Sequence, residues 1–165
     1  MEFDIHTTKD SRDLAAVRSL WTEYWAFLGL EPTFQNFAAE LQGLPGAYAE
    51  PEGLLLIAWA GETPAGTIGL RRLSAGACEA KRLYVSPAFR GHGLGRTLLH
   101  RLVESARSIG YETMYGDSLP SMAEALSMYR SFGFQQVEAY SVTPTPGAIY
   151  LALALASPAE ASRTR

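Results

Sequence analysis

One cysteine, Cys78, is all that the 165 residues contain. No intrachain disulfide can therefore staple the fold, and no cysteine spacing suggests a zinc site. Long apolar runs are also missing. Without an 18-residue hydrophobic stretch or a signal-peptide core, the expectation is a soluble cytoplasmic protein that does not enter a membrane. Positive charge is not in excess, for the formal net charge is −3. That balance argues against nucleic acid or an acidic lipid surface as a partner, so any anion must be held by a local cluster. Internal repeats and low-complexity segments are absent as well. What is present is a composition of 47% hydrophobic and 19% charged residues, enough for a single domain burying about two-thirds of its unfolded surface. We assign that domain to residues 1–156, and the tail 157–165, which lacks large apolar groups, is expected to fray.

The densest local signal is Arg90-Gly91-His92-Gly93-Leu94-Gly95. Its glycines let the backbone turn tightly and bring N–H groups close to a ligand. Lys81 to Val85 before it reads as a strand. After it, Leu94, Leu98, Leu99, Leu102, Val103, Ala106 and Ile109 recur at three- and four-residue steps, which predicts a helix closed by Gly110. A glycine loop opening a helix offers unpaired N–H groups and a favourable dipole to an anion. Arg90 and Arg96 add charge on either side. The loop is not a P-loop, because no Gly-Lys-Ser/Thr follows. Arg96 stands where a dinucleotide fingerprint needs Gly or Ala, and several strands precede the loop where that motif uses the first.

The rest of the chain arranges itself around this loop. Glu2–Thr7 reads as a strand, and Asp10 or Ser11 can cap a helix whose buried stripe is Leu14, Val17, Leu20, Trp21, Tyr24 and Leu28, ending at Gly29. Pro32 suits the first turn of a shorter helix with Phe34, Phe37, Ala38 and Leu41. Trp25, Phe27 and Phe34 are read as core, with the lining of a pocket as the alternative. Strands follow at 54–60, 65–73 and 76–85, the first two as a hairpin. Beyond the central helix come a strand at 112–117, a helix at 121–132, and strands at 134–140 and 148–156. The crossover through the central helix implies parallel strands on either side of it. The fold class is thus α/β, a mixed sheet of about seven strands flanked by about four helices.

Three stretches of this chain, together with the order of elements, resemble the GCN5-related N-acetyltransferase (GNAT) superfamily. Glu79-Ala80-Lys81-Arg82-Leu83-Tyr84-Val85-Ser86-Pro87 is similar to its fourth strand, Arg90 to Gly95 to its Arg/Gln-x-x-Gly-x-Gly/Ala motif, and Ala125 to Phe134 to its later helix and turn. The resemblance spans about Ile5 to Leu155. It implies acetyl-CoA as co-substrate, without a metal, in a cleft where the fourth and fifth strands splay. Arg90 and the N–H groups of Gly91, His92, Gly93, Leu94, Gly95 and Arg96 would hold the pyrophosphate. The strand Leu83-Tyr84-Val85 would pair with the pantetheine arm through its backbone at Leu83 and Val85.

The same resemblance implies roles for two side chains. A lysine-like amine has a pKa near 10.4, so its neutral form costs roughly 4 to 5 kcal/mol at pH 7. A base is useful, and Glu79 is the candidate, acting through water, unless it only pairs with Lys81 or Arg71 across strands. Tyr129 would protonate the departing thiolate, unless it is a core aromatic of the stripe Met122, Leu126, Tyr129 and Phe132. His92 is expected to be exposed rather than catalytic. Cys78 as a nucleophile would need an activating base. No asparagine follows the fifth strand, so Ser118 or Ser121 is expected to replace its cofactor contact. The implied activity is N-acetyl transfer to a small-molecule or amino-acid-type amine, with a non-catalytic acyl-CoA module or peptide acetylation as alternatives. The segment 140–147 and the two early helices would shape the acceptor site, and a homodimer is expected.

Overall fold

Leu54, Leu56 and Ala58 join one apolar cluster, while Leu55, Ile57 and Trp59 between them join another. A strand that buries both of its faces must lie inside a sheet covered on both sides. The computed structural model, which describes residues 1–31, 36–140 and 147–155, has that architecture. In chain order its elements are β1 (Asp4–Thr7), α1 (Ser11–Leu28), α2 (Phe37–Gln42), β2 (Leu54–Ala60), β3 (Thr63–Ser74), β4 (Ala77–Val85), α3 (Leu94–Ile109), β5 (Thr113–Ser118), α4 (Ala123–Ser131), β6 (Gln135–Val137) and β7 (Ile149–Ala154). Single 3₁₀ turns lie at Gly46–Tyr48 and Pro87–Phe89. Helices α3 and α4 cover one face, and α1 and α2 the other.

The strands form one sheet in the order β1-β2-β3-β4-β5-β7-β6. Among the described strands only β4 and β5 pair in parallel, joined by the crossover through α3. The element order is the one expected from the sequence. The strand expected at 134–140 pairs only over Gln135–Val137, on the edge of β7 away from β5, and this pairing stops near Ile149 where β7 begins. Pro32, Phe34, Pro144, Pro146 and the tail 157–165 lie outside the described residues. Phe27 is 59% exposed and so not core, but it lines a groove beside Arg90, as the alternative reading has it.

Two local devices position the site. The first is at the start of α1, where Asp10 caps the helix by accepting from the Asp13 N–H at 2.9 Å. Asp13 is itself buried and accepts from Trp59 Nε1 and the Lys9 N–H, with His6 Nε2 also at 3.0 Å, tying α1 to β1 and β2. Burial alone would raise its pKa, but these hydrogen bonds outweigh burial and hold it below the usual value. The second is a bulge in β4. Thr67 pairs with Tyr84 and Gly69 with Lys81, so Arg82 and Leu83 together face Ile68 alone. Arg82 adopts φ +60° there, a conformation few side chains accept. Its guanidinium is pinned by Glu40 Oε2 at 2.7 Å and lies 4.6 Å from the Trp25 ring centroid.

Candidate active site

The bulge resets the alternation of β4. Before it, Glu79 and Lys81 lie on the α1/α2 side; after it, Leu83 and Val85 pack against the α3/α4 cluster and Tyr84 against the α1 cluster. β4 and β5 pair only at Ala77–Thr113, Cys78–Met114 and Glu79–Tyr115, and past that point each strand continues without the other. The sheet therefore opens in the middle. A groove of about 650 Å³ lies on one side of the opening, lined by Leu83 to Val85, Arg90, Gly91, Gly93 to Arg96 and Met128. A cavity of about 850 Å³ lies on the other, lined by residues that include Tyr48, Arg71, Glu79 and Tyr140. A smaller space of about 70 Å³ lies between them as a constriction, bounded by Tyr24, Leu83, Ser118 and Tyr129. It shares Lys81 and Asp117 with the cavity, and Leu83 and Ala125 with the groove.

The groove brings together a glycine loop, a helix N-terminus and two arginines. Gly91 and Gly93 have φ of +84° and +76°, and a Cβ added at either would meet no atom within 4 Å. Helix α3 begins at Leu94, and its first backbone bond runs from Thr97 N–H to the Gly93 carbonyl. The N–H groups of Leu94, Gly95 and Arg96 consequently have no intrahelical acceptor. No acidic residue occupies the first turn. Arg96 donates from Nη2 to Ser131 Oγ at 2.8 Å, which holds an otherwise unfavourable cation beside the helix N-terminus. Arg90 donates from Nε to the Val85 carbonyl at 2.9 Å, so that part of the strand edge is already engaged. These residues fit a pyrophosphate.

At the constriction, Tyr129 is buried edge-on to Phe134, with ring centroids 5.1 Å apart. A Cβ on Gly116 would lie 3.8 Å from its ring, which sets Tyr129 against β5 just where that strand leaves β4. Burial, reinforced by Tyr24, Asp117 and Glu79, pushes its hydroxyl well above 10. The phenol therefore keeps its proton at any ordinary pH. Glu79, only 3% exposed, accepts on Oε1 from Arg71 Nε and Nη2, both at 2.7 Å, and on Oε2 from the Tyr140 hydroxyl at 2.7 Å. Burial and the Glu79 charge raise Tyr140 strongly, so it too stays protonated. Cys78 is buried, and burial pushes its thiol up to about 12, which leaves it inert as a nucleophile.

The sequence matches the Acetyltransferase (GNAT) family over residues 14–134. An uncharacterised N-acetyltransferase of Schizosaccharomyces pombe is 34% identical over 151 residues, covering 90% of this chain and 93% of its own. The chain belongs to the GNAT acetyltransferase family. Its fold agrees with a GNAT acetyltransferase from Staphylococcus aureus Mu50 at a TM-score of 0.80, with 16% identity, over 94% of this chain and 100% of that one. The PaiA N-acetyltransferase from Thermoplasma acidophilum, solved in complex with coenzyme A, matches at 0.72 and 17% identity over 93% and 99%. As a GNAT enzyme, this protein is an acetyl-CoA-dependent N-acetyltransferase.

For this GNAT enzyme, the structure gathers most of the residues singled out from sequence around adjoining spaces. Leu83, Tyr84, Val85, Arg90, Gly91, Gly93, Leu94, Gly95 and Arg96 line the groove, and Ser118 and Tyr129 the constriction. Ser121 lies in the groove, so the two serines offered for one contact sit in different compartments. His92 is exposed, with its ring tilted against Phe3 at 6.4 Å. Glu79 stands apart from the constriction, in the wider cavity. Sequence reasoning missed Asp117, Tyr24 and the engagement of Tyr140. Strand alternation on β5 was a usable signal for Asp117, since Met114, Gly116 and Ser118 are its buried face. Among the described residues, no group of His, Cys, Asp and Glu can hold a metal, and no helix is long and apolar enough to cross a membrane.

Proposed function

We propose that this enzyme transfers the acetyl group of acetyl-CoA to a primary amine of a small-molecule or amino-acid-type acceptor, by direct attack while both are bound. The observation that carries this reading is the pair of cavities meeting at a constriction bounded by Tyr129. One is suited to a pyrophosphate and an extended arm, and the other is large enough for a small acceptor. Holding two reactants face to face in this way is worth about 7 to 11 kcal/mol of the barrier. Acetyl-CoA supplies a thioester whose C–S bond is exchanged for the C–N bond of the product, releasing a thiol and one proton. Gly91 to Arg96 hold the pyrophosphate through their N–H groups, with Arg90 adding charge. The Leu83–Val85 backbone orients the arm, and a backbone N–H there polarises the thioester carbonyl. Ser118, buried in the constriction, donates to the arm where other members use asparagine.

Tyr129, whose ring bounds the constriction, delivers a proton to the departing sulfur. Glu79 takes the proton from the amine nitrogen indirectly. With Oε1 held by Arg71, its route runs through the Tyr140 hydroxyl, which accepts from the amine as it donates to Oε2. A water between Tyr140 and the amine would serve the same path.

The test is a thermal melt with acetyl-CoA, ATP and NAD as parallel ligands, followed by thiol release with amines. At a hundred times Kd a ligand adds about 2.7 kcal/mol. For a domain of this size that is a shift of roughly 5 to 10 °C. A shift with acetyl-CoA alone, and thiol release dependent on an amine, are expected. A shift with NAD instead, or a shift without thiol release on any amine, would remove the reading.

A further inference from the structure

Lys81 Nζ and Asp117 Oδ1 face each other at 3.9 Å, with their side chains 10% and 22% exposed. At that separation they attract but do not share a hydrogen bond, which needs about 2.7 to 3.2 Å. The other two acid–base pairs of the cavity are closed. Glu79 is filled by Arg71 and Tyr140, and Glu40 by Arg82 and the Tyr48 hydroxyl. An ammonium has three donors and a carboxylate about four acceptor sites. Neither group is among the buried polar atoms left without a partner, so water can meet this capacity until a ligand with matching charges takes its place.

Their location gives this capacity a purpose. Lys81 and Asp117 line both the large cavity and the constriction, so whatever they hold lies next to the thioester position. Regular alternation from Glu79 puts Lys81 on this face, just ahead of the bulge at Arg82, and Asp117 lies two residues past the last β4–β5 pair. The Asp117 charge also reaches the phenols of Tyr24 and Tyr129, adding to the effect of burial on both. It is thus close to the proposed proton donor.

Building on the reading above, we infer that Lys81 and Asp117 select an acceptor whose amine stands beside a free carboxylate, an α-amino acid in its zwitterionic form. The ammonium binds Asp117 and the carboxylate binds Lys81, so four charges alternate around a square. A simple amine would bring a second cation against Lys81 with nothing to balance it. A peptide N-terminus lacks the adjacent carboxylate in the same way. Among the described lining residues, the charges otherwise balance, with Arg71, Lys81 and Arg82 against Glu40, Glu79 and Asp117. The cavity as a whole therefore favours a neutral zwitterion over a net cation or anion. The inference concerns binding, and the bond changes remain those given above.

The experiment measures thiol release from acetyl-CoA with the twenty L-α-amino acids, their carboxamides and the corresponding decarboxylated amines. Wild type, Lys81→Gln and Asp117→Asn are compared, each checked for the acetyl-CoA melting shift. At least one amino acid should be acetylated, with kcat/KM about tenfold or more above its carboxamide, the scale of one charge-assisted hydrogen bond. Lys81→Gln should raise KM for the acid and abolish the preference over the amide, while the acetyl-CoA shift persists. Asp117→Asn should raise KM for acid and amide together. Equal use of acid and amide by wild type, or equal loss of both in Lys81→Gln, overturns the inference. So does the absence of turnover on every amino acid by a protein that acetyl-CoA stabilises. Loss of that stabilisation in wild type would instead overturn the acetyl-transfer reading, and this inference with it.

Discussion

Tyr129 has two readings at the scale of a single residue, a core aromatic and a proton donor, and its surroundings admit both. It packs against Phe134 and Gly116 as a core ring does, yet its edge bounds the constriction where the two cavities meet. Tyr129→Phe separates the roles, because it removes one oxygen and keeps the ring. We expect kcat to fall by about 10² to 10⁴, the usual worth of a positioned acid, with acetyl-CoA affinity unchanged. Lower stability with an intact rate would assign the residue to the core. Glu79 was legible to a degree, since pairing with Arg71 across β3 and β4 was one of its two sequence readings. Its contact with Tyr140 was not, because 61 residues separate the two and only the folded sheet brings them together.

At the scale of elements, the glycine loop and α3 were readable because their signals are local. Positive φ at Gly91 and Gly93, the apolar stripe from Leu94 to Ala106 and the Gly110 stop depend on neighbours within a few positions. Gly93→Val tests the loop. No atom crowds that position, so the substitution acts through backbone strain of about 1 to 2 kcal/mol and through the volume it adds beside the N–H groups. A loss of acetyl-CoA affinity of at least about tenfold, the equivalent of 1.4 kcal/mol, is expected by calorimetry. Unchanged affinity would sink the phosphate cradle. The bulge in β4 was not readable. An arginine at φ +60° carries no signature, and it is held there by Glu40 and Trp25 from two other helices or their flanks.

For the whole molecule, covering the sheet on both faces buries many phenols. Burial pushes Tyr24 and Tyr84 up to about 12 and Tyr48 well above 10. The unfolded chain then loses phenolic protons near pH 10 while the folded chain keeps them. The stabilisation is complete below pH 10 and is lost as pH rises from 10 towards 12, at about 1.4 kcal/mol per pH unit for each such group. The melting temperature should drop across that window, with tyrosinate absorbance rising only as the protein unfolds. Early ionisation at pH 10 without a change in melting would contradict the burial. Local pattern by itself determined the elements, their order, the parallel crossover and the glycine loop at the helix N-terminus, since periodicity, caps and turns are set by residues close in the chain. Only the tertiary structure decided where β7 inserts, where β4 and β5 part, and which charges face each other across the opening. Those features depend on packing and pairing between residues far apart in sequence, and no short stretch records them.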